Sequence, residues 1–127
     1  MPVRVLIVDD QEPFRTVART VVELTDGFEV VGEAESGEES VRSARDLHPD
    51  LVLMDVNLPG INGLEATRQI LAAAGERKPT VVLVLSTYEA EQYAPLAAEA
   101  GAADFIPKSE FSPDRLEAAW RAATAVS

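Results

Sequence analysis

The stretch VRVLIVDD (Val3–Asp10) runs a short apolar segment straight into two adjacent carboxylates, Asp9 and Asp10, and LVLMD (Leu51–Asp55) repeats the arrangement with Asp55. Read as neighbouring parallel strands, the two segments bring all three acids into one crevice at their C-terminal ends. Carboxylates a few ångströms apart push one another's pKa upward, so three stay ionised together only beside a positive charge. Oxygen-only ligands suit Mg²⁺. Asp9, Asp10 and Asp55 are therefore read as a metal-binding cluster.

Outward from these stretches the chain alternates between two periods. Three more apolar runs, Phe28–Val31, Thr80–Leu85 and the weaker Asp104–Ile106, read as strands. Between the runs, residues at helical spacing fall on single faces: Phe14, Val17, Val21 and Leu24; Val41, Ala44 and Leu47; Leu64, Thr67 and Leu71; Tyr93, Leu96 and Ala100; Leu116, Ala119 and Ala123. Ser36 with Glu39 and Asn62 with Glu65 have capping-box spacing, Ser112 precedes a first-turn Pro113, and Gly75 and Gly101 stand where helices should stop. The pattern predicts an α/β fold, (βα)₅, with a doubly wound five-stranded parallel sheet in the flavodoxin-like order 2-1-3-4-5.

The 127 residues fit one domain, 1–127. No apolar window reaches the ~18 residues of a membrane span, and the short first run leads into acids rather than a signal-peptide cleavage site. A formal net charge of −11, with 22 acidic against 11 basic residues and no Lys/Arg cluster, argues against nucleic-acid binding. The absence of cysteine makes a reducing, cytoplasmic setting the expectation.

The residues with chemistry all follow strands. Asp9 and Asp10 follow the first run, Asp55 the third, Ser86 and Thr87 the fourth, and Lys108 the fifth. Three carboxylates, a hydroxyl and an ammonium at the ligand-binding edge of such a sheet suit a metal-bound phosphoryl group. Each residue has a plainer reading. The Asp pair with Pro13 can simply begin a helix, Ser86 with Glu89 can cap one, and Phe105 can be core. Asp55 together with Asp9, Asp10 and Lys108 favours a site. His48 reads as a surface turn residue and Trp120 as packing.

The ordered segments VLIVDDQEPFR, VVGEAESGEE, PDLVLMDVNLPGINGLEATRQI, VVLVLST and GAADFIPKSE together resemble the receiver domain of two-component response regulators, in the CheY-like superfamily. The wording is nearer to receivers of the NarL/LuxR class, although no helix-turn-helix output domain follows in this sequence. The resemblance implies that Asp55 is the phosphoacceptor. It further implies that Asp10, Asp55 and the backbone carbonyl of Asn57 ligate Mg²⁺, with Asp9 acting through a water. Lys108 would hold the phosphoryl group, Ser86 would be the switch hydroxyl and Phe105 the aromatic switch. The implied partners are a sensor histidine kinase or phosphotransfer protein and a downstream protein, the latter met on the surface from Glu89 to Ala123, with homodimerisation open. On this reading the chain promotes only its own phosphotransfer and dephosphorylation.

Three positions depart from the commoner receiver pattern. Ser109 replaces a Pro, so a cis peptide is not expected there. Phe105 stands where Tyr is frequent, and Thr87 where a smaller residue is frequent. Thr87, with Asn57 and Tyr88, is expected to tune the dephosphorylation rate. Other classes share parts of the pattern. A haloacid-dehalogenase-type phosphatase wants a second acid two residues after its nucleophile, where this chain has Asn57. A flavodoxin-type carrier needs a phosphate cradle where this chain has Asp-Asp-Gln-Glu. A receiver-like module that binds proteins without phosphorylation is the remaining alternative.

Overall fold

The structure, a computed structural model, describes residues 2–74, 79–87 and 90–125, with no side-chain description at 90 and 91. Five strands, β1 (Val3–Val8), β2 (Phe28–Ala34), β3 (Leu51–Asp55), β4 (Val81–Ser86) and β5 (Asp104–Pro107), alternate with five helices. The helices are α1 (Glu12–Glu23), α2 (Gly37–Leu47), α3 (Gly63–Ala74), α4 (Ala90–Ala100) and α5 (Pro113–Thr124). A 3-10 turn, Lys108–Glu110, links β5 to α5. All neighbouring strands are parallel, in the order β2-β1-β3-β4-β5.

Strand periodicity divides the core into two layers. Leu6, Val8, Val52, Met54, Val82, Val84 and Phe105 pack with α2, α3 and α4, whereas Val5, Ile7, Leu51, Leu53, Leu83, Leu85 and Ile106 pack with α1 and α5. Every residue of β3 is buried, as a central parallel strand covered on both faces requires. A fully buried Leu or Ile side chain contributes about 1.5–3 kcal/mol by leaving water.

The helix starts follow the sequence signals. Ser36 and Ser112 accept the backbone N–H of Glu39 and Arg115, each at 3.1 Å, and Asn62 Oδ1 accepts that of Glu65 at 2.9 Å. Gly101 ends α4 with φ +102°, a conformation costly for any residue with a Cβ. Gly75 lies outside the described residues. No peptide bond is cis among the described residues, Lys108–Ser109 included. His48 caps α2 at φ 48° on the surface, and Trp120 packs edge-on against Phe28 with ring centroids 6.1 Å apart.

Three expectations need correction. The buried side of α1 is Arg15, Ala18, Val21 and Val22, continued by Thr25, while Val17 and Leu24 are 51% and 69% exposed. The helix lies with Ala18 against the sheet, which rotates Val17 away, and it closes with Thr25 turned inward, its hydroxyl donating to Val21 O at 2.7 Å. In α4 the small Ala97 and Ala100 face the core and Leu96 is 41% exposed. Strand β2 also runs three residues beyond Val31, because Glu33 and Ala34 continue the pairing with Ile7 and Val8.

Candidate functional site

Parallel register assembles the site. Val8 pairs with Met54, so Asp9 emerges beside Asp55. Asp55 pairs with Leu85, and Ser86 pairs with Pro107, the residue before Lys108. Four strands therefore deliver an acid pair, an acid, a hydroxyl and an ammonium to one C-terminal edge, where open α/β sheets bind ligands.

Asp9 is 1% exposed and held at every polar atom. Its N–H donates to Ala34 O at 3.0 Å, and its carbonyl accepts Arg15 Nη1 at 2.7 Å. Its Oδ1 accepts the Gln11 N–H at 2.8 Å, and its Oδ2 accepts Lys108 Nζ at 2.6 Å. The same ammonium lies 3.4 Å from Asp55 Oδ1 and 4.4 Å from the centre of the Phe14 ring, whose face favours a cation. Asp10 is exposed.

Asp55 is 5% exposed, and its pKa is pushed up from the usual 3.8 to about 6. Burial away from water is the largest cause and the negative charge of Asp9 the next; Lys108 and a backbone hydrogen bond from Asn57 act in the opposite direction. Carboxylate oxygens of Asp9, Asp10 and Asp55 all lie within 4.8 Å of one another. An oxygen-only set of that span, open on the Asp10 side, fits a hard divalent cation.

The remaining sequence candidates divide. Ser86 is buried at the end of β4, and Glu89, its partner in the alternative reading as a helix cap, lies outside the described residues. Thr87, the next residue, and Asn57 are exposed, and Tyr88 lies outside the described residues. Phe105 is buried opposite Val84, on the side of α4. The sequence reading passed over Arg15 and Phe14. Arg15 is buried, with Nε 3.2 Å from Glu33 Oε1, although a single Arg in a helix ordinarily reads as a solvated position. Its signal lay in the spacing Arg15, Ala18, Val22, which competes with Phe14, Val17, Val21.

A doubly wound parallel sheet with an acidic edge and a bridging lysine defines a class of α/β domains that bind ligands at their C-terminal strand ends, and comparison with known proteins says which. Residues 5–121 match the response regulator receiver domain family, and the chain belongs to that family. It is 44% identical over 106 residues to the response regulator GacA of Pseudomonas viridiflava, covering 84% of this chain and 48% of that protein. It is 43% identical over 110 residues to a protein-glutamate methylesterase/protein-glutamine glutaminase of Alkalilimnicola ehrlichii, covering 85% of this chain and 27% of that one. The crystal structure of a LuxR-family two-component response regulator from Aurantimonas sp. superposes with a TM-score of 0.84 at 34% identity, covering 96% of this chain and 84% of that chain. The chain thus spans about half or less of the curated relatives it matches. It is a two-component receiver domain. Among the described residues no helix is long and apolar enough to cross a membrane.

Proposed function

We propose that this receiver takes a phosphoryl group onto Asp55 from the phosphohistidine of a sensor kinase or phosphotransfer protein, a partner that sets its place in the cytoplasm. The observation that carries the reading is Lys108 Nζ standing between Asp9 and Asp55 at the edge of the acidic cluster. Asp9, Asp10 and Asp55, with the carbonyl of Asn57, would hold Mg²⁺, which when bound offsets the charge of the acids and of the phosphoryl oxygens.

With its pKa near 6, Asp55 is largely ionised at neutral pH and serves as the nucleophile. An Asp55 oxygen attacks phosphorus in line, the P–N bond breaks, and its electron pair leaves with the imidazole. Lys108 exchanges its contact with Asp9 for a phosphoryl oxygen, and Ser86 Oγ donates to another. The inward movement of Ser86 and Lys108 biases the α4-β5-α5 surface, with Phe105 following, toward a state that a downstream protein or a second copy recognises. Thr87, Asn57 and Tyr88 limit the approach of hydrolytic water, so Thr87→Ala should alter the lifetime of the aspartyl phosphate. On this reading the chain acts on no separate substrate.

The test is intact-protein mass after incubation with a small acyl-phosphate donor and Mg²⁺. One added phosphoryl group, lost in Asp55→Asn and with chelator, is the expected outcome. An unmodified, folded sample that binds Mg²⁺ would replace this reading with that of a phosphorylation-independent binding module.

A further inference from the structure

We infer that Arg15 is a positioning residue for the acidic cluster: it fixes the peptide plane between Asp9 and Asp10 and thereby sets the affinity of the site for a divalent cation. The inference rests on the proposed metal-binding role of that cluster. The carbonyl that accepts Arg15 Nη1 belongs to the peptide joining the two acids. Fixing this peptide fixes where the next residue, Asp10, starts. Asp10 needs such an anchor, since among the described residues its exposed carboxylate meets nothing firmer than Gln11 Nε2 at 3.5 Å.

The guanidinium is itself held from behind. Nε lies 3.2 Å from Glu33 Oε1, and Nη2 lies 3.8 Å from Glu35 Oε1, both acids at the far end of β2 and beyond. Glu33 is also gripped by Arg19, which lies one helical turn further along α1 and is half exposed. The planar fork of Arg15 thus spans from β2 to the Asp9–Asp10 peptide, a bridge that needs several donors in fixed directions. A lysine, with one point charge on a flexible stem, cannot reproduce it. Groups that orient metal ligands without touching the metal commonly alter affinity by about 10–100-fold when removed.

Two other roles make different predictions. If Arg15 acted only through its charge, removing it would lessen repulsion and tighten Mg²⁺ binding. If it acted only as a tie between α1 and β2, the loss of Arg19, which shares Glu33, would have a similar effect.

The experiment is calorimetric titration of the full chain with Mg²⁺, with thermal unfolding of the metal-free forms and phosphorylation followed by mass across the same Mg²⁺ range. Arg15→Lys should weaken Mg²⁺ binding by about tenfold. Its phosphorylation rate should return to the wild-type value at saturating Mg²⁺. Arg15→Met should weaken binding too, and Arg19→Gln should leave it unchanged. Unaltered affinity in Arg15→Lys, tighter binding in Arg15→Met, or an equal loss in Arg19→Gln would each overturn the inference. Should the Arg15 variants fail to fold, Glu33→Gln keeps Arg15 while loosening its hold. Weaker Mg²⁺ binding in that variant supports the inference, and wild-type binding refutes it. A wild type that binds Mg²⁺ without gaining a phosphoryl group would fail the proposed function alone, because the titration still reads Arg15.

Discussion

Lys108 Nζ is closer to Asp9 than to Asp55, at 2.6 Å against 3.4 Å, although Asp55 is the proposed acceptor. The ammonium therefore neutralises the more deeply buried acid first and lowers the pKa of the other only in part. Removing it should leave two buried carboxylates facing each other. Losing one partner of a fully buried pair costs about 3–5 kcal/mol, and this ammonium retains 13% exposure, so Lys108→Met should cost about 2 kcal/mol without metal. Asp55 should then titrate above its present value near 6. Urea unfolding and carboxyl carbon NMR measure the two effects, and saturating Mg²⁺ should shrink the first.

The same burial gives stability a pH dependence of known sign. In the unfolded chain Asp55 loses its proton near 3.8, and in the fold it holds that proton to about 6. Between these values the folded state binds more protons, so stability falls as pH rises through the window, and the full cost is present above it. Two pKa units correspond to roughly 2–3 kcal/mol. Asp55→Asn should be more stable than the wild type at pH 7.5 and lose most of that advantage by pH 4, when both are compared metal-free in urea.

Gly63, the first residue of α3, tests how tightly the helix closes on the site. A Cβ there would overlap the backbone oxygen of Asp55, while the Gly63 N–H already donates to Val56 O at 2.9 Å. Gly63→Ala must move the helix start or the acceptor strand, at about 1–3 kcal/mol of overpacking. Thermal unfolding should show the loss, and the phosphorylation rate should fall with it.

Asp10 should separate metal binding from stability. Its carboxylate is exposed, so Asp10→Asn should unfold in urea within about 0.5 kcal/mol of the wild type when Mg²⁺ is absent. A ligand at 100 times its Kd stabilises by about 2.7 kcal/mol, and at the concentration giving the wild type that gain the variant should show much less. Equal Mg²⁺-dependent gains in both proteins would remove Asp10 from the metal site.

The sheet was legible in the sequence because parallel strands buried on both faces leave continuous apolar runs, and the acids at their ends interrupt them sharply. Leu51–Asp55 shows this at its clearest. The convergence of Asp9, Asp55 and Lys108 followed from strand order alone. The rotation of α1 did not. Phe14, Val17, Val21 and Leu24 make a better hydrophobic stripe than Arg15, Ala18 and Val22, and the partners that turn an arginine inward are the acids on and beside β2 and the carbonyl of Asp9. Strand β2 looked short because Glu33 is polar, yet its carboxylate is consumed by Arg15 and Arg19. In both places the deciding partner lies on another element, which local periodicity does not record.

The contact between Lys108 and Asp9 joins residues 99 apart. During synthesis the chain carries its acids for most of its length without the cation that balances them. Until Lys108 is made, Asp9 and Asp55 lack the ammonium that stands between them. The edge that would receive a signal is thus charge-balanced only once the residue after the last strand is in place.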